Sequence, residues 1–104
     1  MAPVQTKDAA MDLIRTERTR ILSLGVTRLG VFGSFAHDRQ GNASDIDLLV
    51  DFAPGKKTFD NYMDLACLLE DLLQRRVELV TAASLSPYIG PRILEDVVDV
   101  PLGA

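Results

Sequence analysis

GSFAHDRQGNASDIDLLVDF, residues 33–52, is the stretch whose reading decides the fold. Its second half alternates: in a strand successive side chains point to opposite faces, so Asp45 and Asp47 share one face with Cα atoms roughly 6.6 Å apart. Ile46, Leu48 and Val50 occupy the other face and can pack beneath helices. One face is thereby anchored while the other presents two acids. In the first half, Gly33 permits a sharp turn and close approach of the backbone to a ligand. Ser34 offers a hydroxyl where a short following helix would aim free N–H groups outward, a combination suited to phosphate. Residues 37–44, rich in Gly, Asn, Asp and Ser, read as a loop.

Working outward, residues 28–33 form a short apolar run ending in Gly33-Ser34, a strand feeding a tight turn. Upstream, Met11, Leu13, Ile14, Ile21, Leu22 and Leu24 predict one amphipathic helix over residues 6–24, ended by Gly25. Downstream, residues 53–57 connect to a helix carrying Tyr62, Leu65, Leu68, Leu69, Leu72 and Leu73, with Asp60 as its expected cap. Residues 77–81 read as a third strand. A last helix is expected from Ser86-Pro87, or from Pro91, with Ile93, Leu94, Val97 and Val98 facing the core. The order α-β-β-α-β-α describes an α/β (α+β) domain, a small mixed sheet flanked by helices.

The 104 residues suit a single domain spanning residues 1–104. Eleven Lys and Arg stand against 15 Asp and Glu, for a formal charge of -4, so nucleic acid is not an expected partner. The pairs Lys56-Lys57 and Arg75-Arg76 read as solvated surface charge. With one cysteine and one histidine the chain has neither an internal disulfide nor a Cys/His zinc site. Charges interrupt the N-terminal stretch before a signal-type apolar run develops, and no run approaches a membrane span, so a cytoplasmic location is expected and no membrane partner.

Alternation along Val77-Glu78-Leu79-Val80 puts Glu78 opposite Val77 and Leu79. If that strand lies beside the Asp45–Asp47 strand, Glu78 becomes a third acid. Clustered carboxylates repel one another, a tension that hard Mg²⁺ relieves. Such a triad can hold two metals roughly 3.5–4 Å apart, polarise a phosphoryl group and activate a hydroxyl nucleophile. Each part alone has a plainer reading: a loop dipeptide, a solvated strand edge, a surface glutamate. Specificity lies in their order along the chain. His37 reads as an exposed loop histidine, Cys67 as core filling, and Tyr62 and Tyr88 as packing residues.

The residues GSFA…SDIDLLV resemble the GSxA…SDxDLxV signature of the DNA polymerase β-type nucleotidyltransferases, and the length is similar to that of the minimal nucleotidyltransferase antitoxins. The resemblance runs from the first helix to about Val98. It implies a nucleotidyltransferase-like fold in which Asp45, Asp47 and Glu78 are catalytic and bind Mg²⁺, and Gly33, Ser34, Ser44 and Arg39 bind the nucleotide. It further implies ATP as substrate and a HEPN-type ribonuclease toxin as partner, neutralised in a hetero-oligomer by binding and by transfer of AMP to a tyrosine. Two positions depart from the pattern: His37-Asp38 stand where Arg-Gly is common, and Glu78 stands where Asp is usual. These departures keep a second expectation open, an antitoxin that acts by contact alone. A third is transfer to a small-molecule acceptor, disfavoured because 104 residues leave no room for an acceptor domain.

Overall fold

In the computed structural model, which describes residues 3–37 and 45–103, the alternating segment forms β2 (Ile46–Phe52) inside a four-stranded sheet. On one flank β1 (Val26–Phe32) runs antiparallel to it, and on the other β3 (Val77–Thr81) runs parallel. A two-residue strand, β4 (Val98–Asp99), pairs antiparallel with β1 and completes the order β3-β2-β1-β4. The parallel step between β2 and β3 requires a crossover, and α3 (Phe59–Leu73) supplies it.

Side-chain alternation settles which face is core. Ile46, Leu48 and Val50 of β2 join Leu29 and Val31 of β1, all fully buried. Against them pack Ile14 of α1 (Lys7–Thr16), Ile21 of α2 (Arg18–Ser23) and Leu65, Leu69 and Leu73 of α3. The last three recur every fourth residue and make one apolar stripe along α3. Each such side chain contributes about 1.5–3 kcal/mol when removed from water. No described helix is long and apolar enough to cross a membrane.

Three local expectations are corrected. The helix expected over residues 6–24 is broken at Glu17 (φ -108, ψ 19), giving α1 and α2. Just before the break the Thr16 hydroxyl donates to the Leu13 carbonyl at 2.5 Å, a local bond that competes with the helical ladder. Gly25, at φ +88, ends α2 as expected. The cap of α3 is Thr58, not Asp60: its Oγ1 accepts from the Asn61 N–H at 3.1 Å, and Asp60 lies in the first turn.

The third correction concerns the C-terminal region. Ser86 closes a turn, accepting from Ile89 N at 3.1 Å through its hydroxyl and from Gly90 N at 2.8 Å through its carbonyl. The helix α4 therefore begins at Gly90 (Gly90–Asp96), in keeping with the alternative start at Pro91 and not with the one at Ser86-Pro87; Pro91 stands in its first turn, where no N–H is needed. Leu94 is exposed and Ile93 only half-buried. Val98, expected in this helix, pairs with Val31 as part of β4. That approach depends on Gly30, because a Cβ there would collide with Val97 and crowd the Val98 carbonyl.

At the other border of the sheet, β3 carries its own covers. The Val77 N–H donates to Glu70 Oε2 at 2.9 Å, and the Tyr62 hydroxyl donates to the Leu79 carbonyl. Tyr62 is thus a packing residue as expected, whereas Tyr88 is 91% exposed. Cys67 is exposed rather than core, since the buried stripe of α3 passes through Leu65 and Leu69.

The corrected cap yields a first expectation. Thr58→Ala removes a side-chain N-cap and costs about 1 kcal/mol, lowering Tm by roughly 4–8 °C for a domain of this size. Thermal unfolding followed by circular dichroism reads the change; an unaltered Tm would place the cap elsewhere.

Candidate active site

The face of the sheet away from the core is organised in rows. Phe32 of β1, Asp47 of β2 and Glu78 of β3 are register partners and form one row; Gly30, Leu49 and Val80 form the next. Partners in register share a face, so the expectation that Glu78 lies beside Asp47 is met across a parallel pair. Asp45 immediately precedes β2, and its carboxylate acts on Asp47 through charge. A backbone bond fixes this end of both strands: Ile46 N donates to the Arg76 carbonyl at 3.0 Å.

Burial and repulsion together set the chemistry of the row. The Asp47 carboxyl is pushed up from 3.8 to about 6, first by removal from water, then by the charge of Glu78, by their shared hydrogen bond, and by the charge of Asp45. Two carboxylates in contact can share a proton, which is the state that burial favours. Among the described residues, however, no three His, Cys, Asp or Glu side chains form a ready-made metal cage. The expected triad is therefore a touching pair, Asp47 and Glu78, with Asp45 acting at longer range.

The turn after β1 closes over the same acid. Gly33 has φ +71, a conformation that L side chains rarely adopt, and a Cβ there would collide with Asp47 Oδ2. Glycine is thus required twice, by its dihedral and by the neighbouring carboxylate. Ala36 N donates to the Gly33 carbonyl at 3.1 Å and His37 N to the Ser34 carbonyl at 3.2 Å, making one 3-10 turn (Phe35–His37). Those two N–H groups are consumed within the turn. Ser34 is half-buried beside Gly33. His37, exposed as expected, stands 3.3 Å from the Asp96 carboxylate and links the turn to the end of α4. Arg39 and Ser44 lie outside the described residues.

Sequence reasoning placed Arg75 on the surface, yet it is buried, with its guanidinium 5.0 Å from the centre of the Phe35 ring. Its neighbour Arg76 is exposed, so the pair is split between inside and outside. Nothing in the local pattern distinguished them, because the contacts are with residues far away in sequence.

Known proteins share this fold. The nucleotidyltransferase domain family matches residues 12–100. A provisionally named protein adenylyltransferase of Methanocaldococcus jannaschii is 41% identical over 80 residues, spanning 77% of this chain and 85% of that one. A solved structure described as a minimal nucleotidyltransferase superposes with a TM-score of 0.70 at 34% identity, covering 85% of this chain and 93% of its own. A toxin-antitoxin crystal structure with AMP-PNP superposes with a TM-score of 0.60 at 26% identity, over 81% of this chain and 72% of that one.

The raised carboxyl of Asp47 has a sign that can be tested. Its folded-state value, about 6, lies above its unfolded value of 3.8, so the native state holds this proton more tightly and loses stability as pH rises through that window. Asp47→Asn therefore raises stability near neutral pH, by roughly 1 kcal/mol once the solvent reaching this half-buried group is allowed for. The advantage should fade as pH falls through this window and vanish well below about 4, where the wild-type carboxyl is protonated in both states. Denaturant unfolding at the two pH values checks this; a variant less stable than wild type near neutrality would contradict it.

Proposed function

The chain belongs to the nucleotidyltransferase domain family, and from that premise we propose that it is a protein adenylyltransferase serving as an antitoxin. In this reading it transfers AMP from ATP to a tyrosine of a HEPN-type ribonuclease toxin. The observation that carries the proposal is the Gly33 turn seated directly on Asp47, with Glu78 alongside. A tight glycine turn and a pair of crowded acids occupy one end of one face. The toxin-antitoxin structure with AMP-PNP, similar in fold and 26% identical, supports a nucleotide ligand and a toxin partner.

Asp45, Asp47 and Glu78 offer only hard oxygen donors, and the elevated carboxyl of Asp47 is a charge conflict that a divalent cation relieves. These residues fit Mg²⁺, which when bound supplies charge neutralisation at the transferring phosphoryl group. Gly33 and Ser34 hold the triphosphate on the β1 side of Asp47, and Arg39 and Ser44 are proposed to extend that contact. In-line displacement then fixes where the acceptor enters. The leaving pyrophosphate lies on the β1 side, so the tyrosine hydroxyl approaches from the β3 side, where Glu78 is exposed. The hydroxyl oxygen bonds to the α-phosphorus, the bond to pyrophosphate breaks, and an acid of the row takes the hydroxyl proton. Positioning and electrostatics account for most of the acceleration in such transfers.

A second reading draws on the incomplete gathering of the acids: the protein neutralises its partner by contact, without transfer. Incubation of purified protein with Mg²⁺, ATP and the toxin, followed by intact-mass spectrometry of the toxin, separates the two. Transfer adds the mass of AMP; neutralisation with no added mass would leave contact alone. We expect Asp45→Asn and Asp47→Asn each to abolish the mass gain with the fold intact, Glu78→Ala to abolish it, and Glu78→Asp to retain part. Losses of at least about a hundredfold in rate are expected for the Asn variants, the scale set by removing one stabilising group from a transition state. Wild-type rates in Glu78→Ala would exclude Glu78 from the site.

A further inference from the structure

Arginine is seldom buried, because its charge is costly to desolvate. Arg75 is only 8% exposed. The chain reaches it through Gln74, whose left-handed conformation (φ 54) ends α3 and turns the next residue inward. Arg75 Nε donates to the Val4 carbonyl at 2.6 Å, and Val4 N donates to the Leu73 carbonyl at 3.1 Å, which fastens the N-terminal segment to this corner. The guanidinium then lies over the face of Phe35, a ring with no solvent exposure that directly follows Ser34. One residue on, the Arg76 carbonyl holds Ile46 between the two aspartates, and Glu78 follows two residues later.

The staple to Val4 uses one donor of this side chain, Nε, while the guanidinium carbon lies over Phe35. A planar cation over an aromatic face can hold the angle of that ring, and Phe35 opens the 3-10 turn that directly follows Gly33 and Ser34. We propose that Arg75 is a positioning residue for the triphosphate turn and acts through Phe35. This rests on the nucleotidyltransferase reading above and deepens it by naming what sets the turn against the acids.

The test compares wild type with R75M, R75K, F35L and the double variant R75M/F35L, using inorganic triphosphate and adenosine as separate probes in calorimetric titrations with Mg²⁺. Circular dichroism verifies the fold of each. Loss of a cation–π contact that orients the turn should weaken triphosphate binding roughly three- to thirtyfold in R75M and in F35L. Adenosine binding should stay at the wild-type level, which a general loosening of the structure would not allow. R75K should recover part of the affinity, and the double variant should be no weaker than the weaker single variant, because both changes break one link. A folded R75M or F35L that binds triphosphate within about twofold of wild type overturns the proposal, as does an equal loss for both probes. Should R75M not fold, R75K and F35L decide by the same criterion. If wild type itself fails to bind triphosphate, it is the nucleotide reading that falls, and Arg75 goes with it.

Discussion

Everything in this fold depends on one strand serving two faces. β2 is paired along both edges, so its side chains have only up and down to choose from, and period-two alternation divides them without remainder. Ile46, Leu48 and Val50 go down into the core; Asp47 goes up. A slip of register by one residue would bury the acid among leucines and expose the aliphatic set. The apolar face therefore specifies the position of the acid as firmly as any contact the acid makes itself.

The acid pays back none of that stability. Asp47 is crowded by Glu78 and partly withdrawn from water, so its charged form is unfavourable in the native state. The opposite face, with its stripe of leucines from α3, offsets the conflict. Gly33 sharpens the arrangement, since the turn can sit against the carboxylate only where no side chain intervenes. A site under internal repulsion, on a scaffold that tolerates it, is poised to take up positive charge.

Much of this was legible because it is local. The strand carrying Asp47, with Asp45 just ahead of it, the turn at Gly33 and the strand carrying Glu78 follow from alternation and turn chemistry within a few residues. The adjacency of Asp47 and Glu78 was legible only as a condition, since it needs two strands to be neighbours. What escaped was decided at a distance or by competition among near-equal choices. Thr58 and Asp60 are both good caps, and only the backbone geometry selects Thr58. Val97 and Val98 fit a helical pattern, but the space left by Gly30 draws them to β1. Cys67 belongs to an apolar helix yet points away from its buried stripe. Arg75 is recognisable only through Val4 and Phe35, 71 and 40 positions away by sequence number.

The borders of the sheet carry a consequence of their own. A bare strand margin is a template on which other chains can extend, and small domains with one become seeds for fibrils. Here Glu70 and Tyr62 occupy backbone groups along the β3 margin, and the β4 margin is two residues long. Two side chains of the crossover helix thus stand guard against edge-to-edge stacking at this margin.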